Sequence, residues 1–138
     1  MILLDTNVIS EMMRERPDRA VSNWLRANPR KEFWTSSVVI AELISGVDLM
    51  PEGRKQEMLR EAIEGVIAED FKGQILKFDV SAARHYGHVL LMRQLIGRPI
   101  REMDALIAAT ALANDAVIST RNTSDFEHCG ITLVNPWD

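Results

Sequence analysis

The chain alternates short apolar runs with longer segments in which apolar residues recur every three or four positions, the pattern of buried strands alternating with amphipathic helices. Ile2–Leu4 and Phe33–Ser36 read as strands, as do residues 75–78, 116–119 and 131–134. Helices are predicted over residues 7–14, 18–27, 38–50, 52–70, 81–96 and 104–113. Asp18 offers a capping carboxylate for the second, which Asn28-Pro29 closes, and Ser36 or Ser37 caps the third. In residues 52–70, Met58, Leu59, Ile63, Val66 and Ile67 hold the spacing of one amphipathic helix. Gly97-Arg98-Pro99 breaks the fifth helix, and five alanines between residues 104 and 113 give the sixth the highest propensity available. Strands separated by helices imply an α/β fold with a mainly parallel central sheet flanked by helices. Ligands of such sheets bind at the carboxyl ends of the strands.

The 138 residues contain no repeat or linker and fit one domain, residues 1–138. No apolar run approaches the roughly 20 residues of a membrane span, which excludes a membrane protein. Asp5 interrupts the opening apolar run too early for a secretory signal, and the lone Cys129 points to the cytoplasm. A net charge of −4 argues against non-specific coating of nucleic acid but not against an enzyme acting on it. Twelve of the sixteen basic residues are arginine, which suits bidentate phosphate contacts.

Acidic or amide side chains recur at comparable junctions between elements. Asp5 follows the first strand, Glu42 lies in the helix after the second, Asp104 opens the alanine-rich helix, and Asn122 and Asp125 follow "VISTR". Asp5 and Asp104 each admit a plain reading as helix caps. Glu42 does not, because Val38, Val39, Ile40, Leu43 and Ile44 surround it, and a carboxylate at a buried position or a cleft edge needs compensation by an arginine or a cation. Oxygen ligands select hard ions, so Mg²⁺ or Mn²⁺ is the expected cofactor. Such an ion would activate water for attack on a phosphodiester. His85 and His88 lack a companion ligand motif and read as helix surface; His128 and Cys129 read as structural.

In order along the chain, "MILLDTNVISE", "SSVVIAELISGV", "MDALIAATA" and "VISTRNTSDFEHCGITLVNPWD" resemble the PIN-domain ribonucleases, and among them the VapC/FitB-like toxins of toxin–antitoxin pairs. The resemblance spans essentially the whole chain. It implies an α/β/α sandwich, a Mg²⁺- or Mn²⁺-dependent endoribonuclease acting on RNA, and Asp5, Glu42 and Asp104 as its catalytic metal ligands. Many members carry a fourth acid after the fourth strand; the aligned residue here is Asn122, with Asp125 three positions on. Thr6, Asn7, Thr120, Asn122 and Asp125 are then expected to orient carboxylates or water around the ion. The resemblance also implies a homodimer and a cognate antitoxin of VapB/FitA type. Operator DNA is expected to be bound only through that antitoxin, since no DNA-reading motif stands in the chain. Arg14, Arg16, Arg98, Arg101 and Arg121 are candidates for RNA phosphate contacts.

Three other readings compete. A receiver-type signalling domain needs adjacent acids after the first strand and a late lysine, whereas one acid stands there and no lysine follows Lys77. A haloacid-dehalogenase-like phosphatase needs a second aspartate where Asn7 stands. A decayed, non-catalytic PIN module acting as an interaction partner is opposed by the intact Asp5, Glu42 and Asp104 and favoured only by Asn122.

Overall fold

A computed structural model describes residues 1–138. Five parallel strands form one sheet in the order β3-β2-β1-β4-β5: β1 is Ile2–Leu4, β2 Phe33–Ser36, β3 Ile75–Leu76, β4 Val117–Ser119 and β5 Leu133–Val134. β1 lies in the middle, with Leu3 opposite Trp34 on one side and Ile118 on the other. Leu3 and Leu4 are fully buried, as expected of a parallel strand covered by helices on both faces. From β1 the chain winds outward through β2 and β3, then returns to place β4 and β5 on the opposite side. The strand order therefore reverses between β1 and β4, and a crevice opens beyond their carboxyl ends.

Six helices cover the sheet: α1 (Thr6–Met12), α2 (Arg19–Ala27), α3 (Ser37–Asp48), α4 (Arg54–Gly65), α5 (Val80–Leu95) and α6 (Glu102–Ala113). Side chains start four of them. Asp5 accepts from the amide of Thr6 at 2.8 Å, Asp18 from Ala20 at 2.8 Å, Ser36 from Val39 at 3.1 Å and Asp79 from Ala82 at 3.0 Å. Ala105, Ala108, Ala109 and Ala111 are buried along α6, whose small side chains let it sit deep among its neighbours.

Several element boundaries differ from the sequence expectation. α1 stops at Met12, where Met13 caps it and the carboxylate of Glu11 turns to the amide of Asp18 at 3.0 Å. The predicted helix over residues 52–70 starts only at Arg54, because Gly53 holds φ at 156°, and after Gly65 it widens into a π-type turn, Val66–Asp70. Met58 is 59% exposed and so is no part of that helix's core face. β3 and β5 are two residues each rather than four, as suits edge strands paired on one side. α6 begins two residues before Asp104, which is its third residue rather than its opening one.

Candidate active site

Asp5 ends β1, and the fold uses both of its carboxylate oxygens. One caps α1; the other accepts from the hydroxyl of Thr120, just past β4, at 2.8 Å. The Thr120 hydroxyl in turn accepts from Nδ2 of Asn7 at 3.2 Å and from the amide of Asn122 at 3.1 Å, while Oδ1 of Asn7 accepts from the amide of Arg121 at 3.1 Å. These bonds lace the start of α1 to the loop after β4 across the strand-order reversal. On the other side, the Thr6 hydroxyl donates to Oε1 of Glu42 on α3 at 2.7 Å. Thr6 thus orients two acids, Asp5 through its backbone and Glu42 through its side chain.

α6 brings Asp104 to the same place. Its carboxylate caps nothing: Arg101 occupies the cap position without a capping side-chain bond and pairs with Asp104 at 3.4 Å instead. Asp125 sits on a short turn after β4, Thr123–Asp125. Asp5, Thr6, Asn7, Glu42, Arg101, Asp104, Asn122 and Asp125 together line a cavity of about 250 Å³ that contains no hydrophobic side chain. A roomier hollow along α4, of about 600 Å³, gathers none of them.

Burial raises the Asp104 carboxyl from its ordinary value to about 6, partly offset by Arg101, with Asp5, Asp125 and Glu42 adding repulsion. Burial also raises Asp5, against the hydrogen bonds from Thr120 and Thr6 that favour its charged form; Glu42 and Asp125 push it further up. Both residues are 6% exposed. No three acids are gathered tightly enough to hold an ion between them as they stand. The donor set nevertheless fits a hard divalent cation, its carboxylates being oxygen donors, and such a cation offsets both the burial that lifts Asp5 and Asp104 and the smaller repulsion that adds to it.

Asp5, Glu42, Asp104 and Asp125 therefore all reach one cavity, and so do Thr6, Asn7 and Asn122. Thr120 supports it from behind, fully buried. The arginines divide. Arg101 lines the cavity. Arg14 pairs with Glu11 at 3.1 Å, Arg98 with Glu127 at 3.2 Å, and Arg121 lies over the Trp137 ring at 5.1 Å. Sequence reasoning missed Arg93, which is buried behind the turn that carries Asp125. Its signal was the spacing of Ala82, Val89 and Arg93, which puts a cation on the buried face of α5.

The PIN domain model matches residues 2–130. The chain belongs to the PIN-domain family. It is 38% identical to the VapC ribonuclease Y4jK of Sinorhizobium fredii over 138 residues, covering 100% of this chain and 99% of that protein. It is also 38% identical to the toxin FitB of Neisseria gonorrhoeae over 137 residues, covering 99% of each. Among solved structures, a FitAB complex bound to an IR36 DNA fragment superposes with a TM-score of 0.90 at 37% identity, covering 100% of this chain and 96% of that one. PIN-domain ribonucleases are in general metal-dependent, and no helix here is long and apolar enough to cross a membrane.

Proposed function

We propose that this PIN-domain protein is an endoribonuclease, the toxin of a toxin–antitoxin pair, and that it hydrolyses RNA phosphodiester bonds in the acidic cavity. The observation that carries the reading is the convergence of Asp5, Glu42, Asp104 and Asp125 on one cavity outside the carboxyl ends of β1 and β4. Asp5, Glu42 and Asp104 would hold Mg²⁺ or Mn²⁺, with Asp125 the fourth carboxylate of the site in place of the family's acid at Asn122. A bound ion would neutralise the carboxylates, activate water and stabilise the charge that builds on the phosphodiester.

The chain's own residues prepare for that chemistry. Thr120 and the Thr6 amide fix the two oxygens of Asp5, and the Thr6 hydroxyl fixes Glu42, so neither acid has to be oriented as the reaction proceeds. Arg101, beside Asp104 at the cavity, offers a guanidinium fork to an RNA phosphate. The Asn122 side chain lines the cavity without a protein hydrogen bond, which leaves its amide for substrate or water.

The partner is a cognate antitoxin of VapB/FitA type, through which operator DNA is reached. An apolar groove, with Met13, Leu43, Val47, Met50 and Leu59 on its walls, shares Thr6 and Glu42 with the acidic cavity, so an antitoxin segment lying in it would cover the acids. The site of action is the cytoplasm, and the working form is expected to be a dimer, which light scattering would read as twice the 15.6 kDa chain mass.

Purified chain freed of antitoxin is expected to cleave RNA with Mg²⁺ or Mn²⁺ and to stop in EDTA. Asp5→Asn is expected to lower cleavage by more than about 100-fold, beyond the loss typical of residues that only support ligands, with an unchanged circular dichroism spectrum. Undiminished cleavage by Asp5→Asn would overturn the assignment.

A further inference from the structure

Arg93 lies in the last turn of α5 and is 5% exposed, yet it forms no ion pair. Its guanidinium is spent on backbone carbonyls. Nε donates to the carbonyl of Arg98 at 2.7 Å, and Nη1 donates to the carbonyls of Asp125 at 2.6 Å and Glu127 at 3.3 Å. These acceptors belong to the two segments that flank the acidic cavity. The segment at residue 98 runs directly into Arg101 and Asp104; the other is the turn that carries Asn122 and Asp125. α5 contributes no side chain to the cavity itself.

Arg98 works on the same turn from outside. Its Nη1 pairs with Glu127 at 3.2 Å and its Nη2 donates to the carbonyl of Ser124 at 3.2 Å. The carbonyls of residues 124, 125 and 127 are thus all held by guanidinium donors. A buried cation without a carboxylate is a poor way to gain stability, since a well-packed apolar side chain of similar size commonly does as well. What an apolar side chain cannot do is fix three carbonyls at once in a planar fork.

We infer that Arg93 is a positioning residue of the nuclease site: it clamps the turn that presents Asp125 to the acidic cavity, against the segment that delivers Asp104. The inference rests on the place of Asp125 in the proposed site. Arg93 touches neither ion nor RNA, so its effect runs through Asp125.

The test is a double-mutant cycle of Arg93→Lys and Asp125→Asn, read as Mn²⁺ affinity by electron paramagnetic resonance in the absence of RNA, and as cleavage rate at saturating Mn²⁺. Lysine keeps the charge but is a single ammonium that cannot span the carbonyls of residues 98 and 125 together, so a residue needed only for its charge would tolerate it. Arg93→Lys is expected to fold, to weaken Mn²⁺ binding or slow cleavage by about 10-fold or more, as loss of ligand support does, and to add less than about 2-fold once Asp125 is Asn. Wild-type values for Arg93→Lys beside a defective Asp125→Asn would overturn the inference. So would effects that multiply in the double variant, or an Arg93→Lys chain that fails to fold, which would make Arg93 structural. An Asp125→Asn chain with wild-type affinity and rate would remove Asp125 from the site and the clamp with it. Failure of the nuclease reading would show separately, as wild-type protein that binds Mn²⁺ but cleaves no RNA.

Discussion

Thr120 makes all three of the hydrogen bonds its hydroxyl can sustain, giving its proton to Asp5 and accepting from Asn7 and the amide of Asn122. Thr120→Val keeps the shape and removes those bonds, one of them to the buried carboxylate of Asp5. Stability is expected to fall by about 1–3 kcal/mol in urea denaturation, with Mn²⁺ affinity down roughly 10- to 100-fold as an orienting bond is lost. Thr120→Ser should restore both; an equal loss with Ser would assign the role to the methyl group. Asp104 carries the pH dependence. Its carboxyl titrates at about 6 in the fold against 3.8 in the unfolded chain. Between those values the native state holds a proton the unfolded state has released, so metal-free stability falls as pH rises from about 4 to about 6, and the loss persists above. The raised Asp5 adds to it with the same sign. In EDTA at pH 7, Asp104→Asn is therefore expected to melt above the wild type, with a flatter dependence of Tm on pH. Coincident Tm–pH curves would mean that Arg101 already offsets the burial of Asp104 in full.

At the scale of elements, Asp5 is both a cap and a cavity carboxylate, the two readings that Ile-Leu-Leu-Asp left open. Asn caps about as well as Asp, and Ala does not. In EDTA, Asp5→Ala is expected to be less stable than Asp5→Asn by about 1 kcal/mol by chemical denaturation, although both are expected to lose cleavage in Mn²⁺; equal stability would mean α1 needs no cap from residue 5. The central strands Ile2–Leu4 and Phe33–Ser36 were legible because each is a short run buried at all but one position, Ile2 and Trp34 being half-buried. The capping residues Asp18 and Ser36 were legible because capping is local chemistry. Edge strands were not, since pairing on one side ends wherever the neighbour ends, as at Leu76 and Val134. Asp5 was visible through its placement after a strand, Glu42 through its apolar neighbours and Asp104 through its place near the start of a helix. The fates of Arg93 and Arg98 were hidden, because their acceptors lie 26 to 34 residues away in sequence for the Asp125 turn and nothing local marks them.

At the scale of the whole molecule, four acids from four separate stretches of chain meet only because the strand order reverses beside β1. That convergence disfavours the metal-free fold through burial and mutual repulsion, as the raised Asp5 and Asp104 record. The same repulsion becomes binding energy once a divalent cation sits among the acids. Mn²⁺ at about 100 times its Kd is expected to stabilise the wild type by about 2.7 kcal/mol, a rise in Tm on the order of 10 °C for a chain of this length. Asp104→Asn should start from a higher Tm in EDTA and gain far less from Mn²⁺, so the order of the two proteins reverses when metal is added. Calorimetry with and without Mn²⁺ reads this crossing directly. Parallel upshifts in the two proteins would put the ion on the other acidic surface, along Glu57, Glu61 and Glu64 of α4, and would leave the cavity acids without the cation their burial calls for.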